Sequence, residues 1–299
     1  MSIRGWRIVG IAILAIGLLA FLASGGQAAI KIGFSVSTQV NPFYKAMADG
    51  VRDEAKAQGM EATILNAEDK LEKQIADVED LIQKKVDVII INATHDGAAA
   101  VLNKAAEAGI PVVTLQRAVP GAKVTSHIGT DNVVIGREGA EWVAKALGGK
   151  GNVVVIEGIP GAASSEDRKK GSAEVWPKYP EIKFVAQQSG RYDRAVALGV
   201  MENILQAQPQ IDAIFCFNDE MAMGALAAVK ASKRTGIKIT GMDANKDARE
   251  AVSRGELAMT IALPPYNIGK NGVLHARWIK TKEQPVPPRT VMAVEFITK

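Results

Sequence analysis

The chain has 299 residues, 47% hydrophobic and 23% charged, with 36 basic against 32 acidic side chains. This composition excludes a disordered chain, and the near balance of charge excludes a nucleic-acid-binding surface. A single cysteine, Cys216, excludes an internal disulfide framework.

Residues 1–28 read as a secretory signal peptide. Arg4 and Arg7 form a short basic region, an apolar run follows from Ile8 to Leu22, and Gly26 and Ala28 sit at the −3 and −1 positions of a cleavage site. The rival reading, a membrane anchor, needs about 20 apolar residues, more than this run supplies. Its loss leaves 34 basic against 32 acidic residues.

From residue 29 onward, strand and helix patterns alternate. "IKIGFSV" (30–36) predicts a strand, and 42–58 a helix with Phe43, Met47, Val51 and Ala55 on one stripe. In the turn between them Asn41 fits a helix N-cap and Pro42 the first helical position. That leaves the two aromatics, Phe43 and Tyr44, without an explanation in the turn itself. "EATILNA" (61–67) is the next strand, and 70–85 a helix with Leu71, Ile75, Val78 and Ile82 on one face. "DVIIIN" (87–92) is apolar throughout, as a strand covered on both faces must be. A helix over 97–108 stops at Gly109 and Pro111, and "PVVTL" (111–115) is a strand.

The second half repeats the pattern. Strands are expected at "NVVVIEG" (152–158), "IKFVAQ" (182–187), "DAIFCFN" (212–218), "IKITGMD" (237–243) and "LAMTIAL" (257–263). Helices fall at about 133–147, 165–176, 193–207, 220–232, 245–253 and 266–281, and a last strand near 290–297. Such alternation implies parallel sheets with helices on both faces. The fold class is α/β, with two similar doubly wound lobes and a cleft between them. Residues 29–130 and 264–289 form the N-terminal lobe, 131–263 and 290–299 the C-terminal lobe. Cys216, inside an apolar strand, is expected to be a buried, inert thiol.

In open parallel sheets, ligands bind beyond the carboxyl ends of the strands. Those ends carry Ser37, Asn41, Phe43 and Tyr44; Asn92; Gln116 and Arg117; Arg168; Tyr192; Asn218; and Asp243. Aromatic faces suit the C–H faces of a sugar ring, and planar Asp, Asn and Arg groups suit adjacent hydroxyls, which both donate and accept. Each residue also has a plainer reading: Phe43 as core, Asn218 and Asp243 as helix caps, Arg168 as a solvated helix charge, Tyr192 as a surface cap.

With these residues in view, the sequence resembles a periplasmic sugar-binding protein of the ribose-binding type, the type I solute receptor of an ABC importer. The carriers are "STQVNPFY", "IIINATHDGA", "IPVVTLQR", "SHIGTDN", "RYDRAVALGVMENIL", "FCFNDEMAMGALAA", "ITGMDANKDA" and "ELAMTIAL". The resemblance implies a ligand set of Ser37, Asn41, Phe43, Tyr44, Asn92, Gln116, Arg117, Arg168, Tyr192, Asn218, Asp243 and Leu263. It implies periplasmic location, a small sugar or polyol as ligand, a membrane permease as partner, a monomeric clamp, and neither cofactor nor metal. Gln116 stands where the ribose receptors carry an aspartate, and Leu263 where they carry a glutamine. The set then holds Arg117 and Arg168 against Asp243, with Glu166 near enough in sequence to restore balance. A polyol, a deoxy or branched sugar and an acidic sugar all remain open.

Catalysis is not expected. There is no HExxH, complete phosphate loop or GxGxxG after the first strand, and no GxSxG elbow. His95, His127 and His275 are dispersed in the chain, and His127 is expected to be structural. A transcription regulator would need a DNA-binding headpiece where the leader stands. A sensor for chemotaxis or a membrane kinase would use the same binding event.

Overall fold

A computed structural model describes residues 29–299; the signal peptide expected at 1–28 lies outside the described residues. Among them, no helix is long and apolar enough to cross a membrane.

The first lobe runs β1 (Lys31–Val36), α1 (Pro42–Ala57), β2 (Glu61–Asn66), α2 (Leu71–Gln83), β3 (Val88–Ile91), α3 (Ala99–Glu107), β4 (Val112–Leu115) and β5 (Ser126–Gly129). The second runs α4 (Asn132–Ala146), β6 (Lys150–Glu157), α5 (Ala163–Ala173), β7 (Glu181–Ser189), α6 (Arg194–Ala207), β8 (Ala213–Cys216), α7 (Asp219–Ala231), β9 (Lys238–Asp243), α8 (Lys246–Ser253) and β10 (Met259–Ala262). The chain then forms α9 (Pro265–Thr281), β11 (Arg289–Val291) and β12 (Glu295–Thr298). The two six-stranded sheets have orders β11-β5-β4-β3-β1-β2 and β12-β10-β9-β8-β6-β7. Every pairing is parallel except that of β12 with β10.

Strand order reverses beside β1 in the first sheet and beside β6 in the second, and the open crevice of such a sheet lies at that point. β3 shows why the strands are apolar throughout. Val88 and Ile90 join one core cluster while Ile89 and Ile91 join another on the opposite face. α1 starts as the sequence predicts: the Asn41 side chain accepts from the Phe43 N–H at 2.9 Å, and Phe43, Met47, Val51 and Ala55 are buried.

Three elements depart from the sequence reading. "SHIG" forms β5, a four-residue strand too short to show period. The strand expected near 290–297 is two strands in different sheets, so the chain crosses at residues 292–294, and Thr290 and Val291 pair with the first sheet. α2 buries Gln74, Val78 and Leu81, while Leu71, Ile75 and Ile82 are half-buried. Gln74 is drawn inward by the polar end of β3: its Oε1 accepts from the Thr94 N–H at 2.7 Å and its Nε2 donates to the Asn92 carbonyl at 3.0 Å.

α9 returns to the first lobe and packs on α1 at glycine contacts. A Cβ on Gly50 would overlap the Tyr266 carbonyl oxygen, and one on Gly269 the Met47 carbonyl oxygen. Gly50→Ala is therefore expected to cost about 1–3 kcal/mol, read as a lowered urea midpoint; an unchanged midpoint contradicts the close packing. His127 on β5 meets Thr114 Oγ1 at 2.9 Å, and burial together with Arg289 pushes its pKa down to about 4. An unfolded histidine titrates near 6.5. As pH falls below that, the unfolded chain binds a proton that folded His127 refuses. The contribution is complete above pH 6.5 and lost toward pH 4, about 2 kcal/mol of it by pH 5. Unfolding curves at pH 7 and pH 5 should show the loss, and His127→Gln should reduce it.

Candidate functional site

The carboxyl ends of the two sheets face each other across one narrow buried cavity. Asn41, Phe43, Tyr44 and Gln116 line it from the first lobe, and Ser164, Arg168, Tyr192, Asn218 and Asp243 from the second. A second, more open chamber adjoins it, sharing Asn41, Tyr44 and Tyr192 and bounded also by Arg117, Asp69 and Arg191.

Of the twelve expected ligand residues, eight therefore share the inner cavity and Arg117 the outer one. Ser37, Asn92 and Leu263 line neither. Ser37 Oγ donates to Asn92 Oδ1 at 2.7 Å, and Asn92 Nδ2 donates to the Leu115 carbonyl at 3.0 Å, so this pair ties β1, β3 and β4 together at their ends. Leu263 is buried just after β10.

The plainer readings divide. Arg168 is 3% exposed, so it is not a solvated helix charge. Asn218 is both a cap, accepting from the Met221 N–H at 2.9 Å, and a cavity residue. Asp243 caps nothing: Asn245 holds that place before α8. Phe43 belongs to the core and to the cavity wall at once, with its ring edge-on to Tyr44 at 5.2 Å. Glu166 does not reach the cavity; its Oε1 accepts from the Gly161 N–H at 3.0 Å. Sequence reasoning missed Ser164, which bonds Tyr192 Oη at 3.1 Å. It lies inside "IPGAASSEDRKKG", and only the start of α5 at Ala163, two residues earlier than expected, turns it to the cavity.

The two arginines are held by backbone oxygens. Arg117 Nη1 donates to the Ala93 carbonyl at 2.8 Å, and its Nη2 to Tyr44 Oη at 2.5 Å. Arg168 Nε donates to Asn132 Oδ1 at 3.0 Å, and its Nη1 to the Phe217 carbonyl. Both guanidinium groups face the Tyr192 ring, at 5.5 and 5.9 Å from its centroid. The Asp243 carboxylate makes no hydrogen bond or ion pair with a described residue. Burial, and then the charge of Asp219 behind it, hold its pKa well above the usual carboxylate range, against the pull of Arg168. Burial raises Asp219 itself to about 7, although Thr260 Oγ1 donates to it at 2.6 Å and the Asn245 N–H at 2.7 Å. Burial likewise pushes up the Tyr44 phenol.

Three residues of the inner cavity sit on left-handed backbone: Gln116 (φ 61°), Tyr192 (φ 59°) and Asp243 (φ 123°). Non-glycine residues there carry strain of about 1–3 kcal/mol each and cluster at binding sites. His127 lies on β5 and lines neither chamber, and the buried Cys216 thiol is pushed up by desolvation. Among the described residues no group of three or more His, Cys, Asp or Glu side chains is placed to hold a metal ion.

The periplasmic binding protein domain model matches residues 32–279. The ribose import binding protein of Bacillus subtilis is 38% identical over 275 residues, covering 89% of each chain. The D-apiose import binding protein of Paraburkholderia graminis is 33% identical over 293 residues, covering 97% of this chain and 94% of that one. A crystal structure of an ABC transporter periplasmic solute binding protein from Actinobacillus succinogenes with bound D-allose superposes with a TM-score of 0.83. It is 33% identical, covering 90% of this chain and 97% of that one.

The placement of Tyr192 depends on Gly158, where a Cβ would overlap the ring. Gly158→Ala is expected to push the ring off the cavity wall and to cost about 1–3 kcal/mol. A crystal structure of the variant with the ring in place and stability unchanged contradicts this.

Proposed function

The chain belongs to the periplasmic binding protein family, in its type I form of two parallel-sheet lobes, and from that premise we propose that it is a periplasmic receptor for a small sugar or sugar-like polyol. It captures the solute by closing its lobes and delivers it to the permease of an ABC importer, working as a monomer after export and leaving the solute chemically unchanged. The relatives above are named for ribose and apiose or hold allose, all compact polyhydroxylated molecules.

The observation that carries this reading is Asp243. A carboxylate on a residue only 8% exposed, without a partner among the described residues, faces a cavity walled by three aromatic rings and several amide and guanidinium donors. Burying such a group unpaired is costly, and adjacent ligand hydroxyls donating to both carboxylate oxygens offset that cost. Phe43, Tyr44 and Tyr192 offer faces for the C–H side of the ring.

The lobes meet directly at the cavity, where Asn41 Nδ2 donates to the Tyr192 carbonyl at 3.5 Å. Only the closed arrangement supplies both sets of contacts, so the solute shifts the population toward closure by its differential affinity for that state. A permease that docks the closed form thereby distinguishes loaded from empty receptor.

Two measurements test the reading. A thermal-shift screen of pentoses, hexoses, polyols and sugar acids should reveal a stabilising ligand, and small-angle scattering should show compaction when that ligand saturates the protein. The solute should be recovered unaltered after incubation. Hydrogen bonds to a charged group contribute about 1.5–3 kcal/mol, so Asp243→Ala is expected to weaken binding by about 10- to 150-fold. Titration calorimetry showing undiminished affinity removes Asp243 from the site.

A further inference from the structure

The hydrogen-bonding inventory of the cavity is unbalanced. Every side-chain amide oxygen around it already accepts a hydrogen bond from the protein, which leaves at most one lone pair on most of them. Asn41 Oδ1 accepts from the Phe43 N–H at 2.9 Å, Asn218 Oδ1 from the Met221 N–H at 2.9 Å, Gln116 Oε1 from the Thr130 N–H at 3.2 Å, and Asn132 Oδ1 from Arg168 Nε at 3.0 Å. The donors are far less occupied. Asn41 Nδ2 and Asn218 Nδ2 share one distant acceptor, the Tyr192 carbonyl, at 3.5 and 3.4 Å. Arg117 Nε is buried with no partner, and Arg168 Nη2 has none in the protein. Tyr44 Oη accepts from Arg117, which leaves its own hydrogen free. Against these donors the inner cavity holds one carboxylate, Asp243.

Charge is unbalanced in the same direction. Arg117 is 1% exposed and Arg168 3%, yet neither forms an ion pair with a described residue; their partners are carbonyls, an amide and a phenol. Two further carboxylates feel Arg117 from outside the inner cavity: Asp69, exposed beside the outer chamber and also facing Arg191, and Asp96. The cations come from opposite lobes, and both stand close to the Tyr192 ring. Buried guanidinium groups are ordinarily matched by anions, and a planar carboxylate fits their forked donors. A neutral polyol brings one donor with each hydroxyl, whereas a carboxylate only accepts.

We infer that the ligand is a polyhydroxylated carboxylate, a sugar acid of the aldonate or uronate class. Its carboxylate lies between Arg117 and Arg168, and its hydroxyls meet Asp243, Asn41 and Asn218. This rests on the receptor reading above and narrows it. An anion held by one arginine from each lobe also makes closure itself charge-driven.

The test is a matched panel on the full-length protein: D-ribose, D-glucose, D-galactose and ribitol against D-ribonate, D-gluconate, D-galactonate, D-glucuronate and D-galacturonate. Each is titrated by calorimetry at low salt. The expected result is one acid at least tenfold tighter than every neutral compound, with the margin shrinking as salt rises. Arg168→Gln should weaken that acid at least tenfold more than it weakens any neutral sugar, with the unfolding midpoint of the variant recorded to establish that it folds. A neutral compound that binds within tenfold of the best acid, or more tightly, overturns this inference and leaves the receptor reading standing. No binding by any member of either set overturns both.

Discussion

Three buried ionisable groups without ion-pair partners among the described residues set the terms for the cleft. Arg117, Arg168 and Asp243 are each more than nine-tenths buried, and a buried charge is tolerated only where neighbouring dipoles or an opposite charge take the place of water. The parallel sheets supply part of this. The carbonyls of Ala93 and Thr94, just past β3, and of Phe217, just past β8, have run out of strand partners and accept from the two guanidinium groups. The sheet ends and the arginines thus satisfy each other. The same fold that gathers the strand ends at one edge therefore makes that edge able to hold cations in a dry place, close to the Tyr192 ring.

Asp243 is held differently, by a scaffold that fixes its backbone and leaves its side chain unmatched. Thr260 Oγ1 donates to Asp219 at 2.6 Å and accepts from the Ala244 N–H at 3.2 Å, while the other Asp219 oxygen accepts from the Asn245 N–H at 2.7 Å. This small network pins residues 244 and 245 and so keeps Asp243 at φ 123° at the end of β9. Gly241 is part of it, because a Cβ there would overlap the Asp219 carboxylate. Burial raises the pKa of both acids, and the charge of Asp219 adds to the rise at Asp243.

Much of this was legible in the residues. Alternating period 2 and period 3.6 segments gave two parallel-sheet lobes, and the rule that ligands gather beyond strand ends selected eight residues that line one cavity. The misses share a cause. Ser37 and Asn92 stand at the right strand ends, but whether such a side chain faces a cavity or a neighbouring strand depends on pairing across 55 residues, and they bond each other. Ser164 turned on a two-residue difference in where α5 begins. β5 is too short to show a period, and β11 and β12 read as one strand because three residues suffice to cross between sheets. Long-range partnership, not local preference, decided each of these.

Gln116 links the cavity to the crossing between the lobes, and this is where a change in the site reaches the whole molecule. Its Nε2 donates to Thr130 Oγ1 at 2.8 Å and its Oε1 accepts from the Thr130 N–H at 3.2 Å, so the amide is bound to the first crossing segment. The next anchor, Asn132, accepts from Arg168 in the second lobe at 3.0 Å. A continuous chain of hydrogen bonds thus runs from a first-lobe cavity residue, through the crossing, to a second-lobe cavity residue. An aspartate at position 116 could accept from both the Thr130 N–H and its hydroxyl, but it would place a second anion beside Asp243. Glutamine keeps the crossing tied on both sides while leaving the positive charge of the arginines uncancelled. One side chain therefore ties the cavity wall to the link between the lobes and leaves two arginines facing the single carboxylate of the inner cavity.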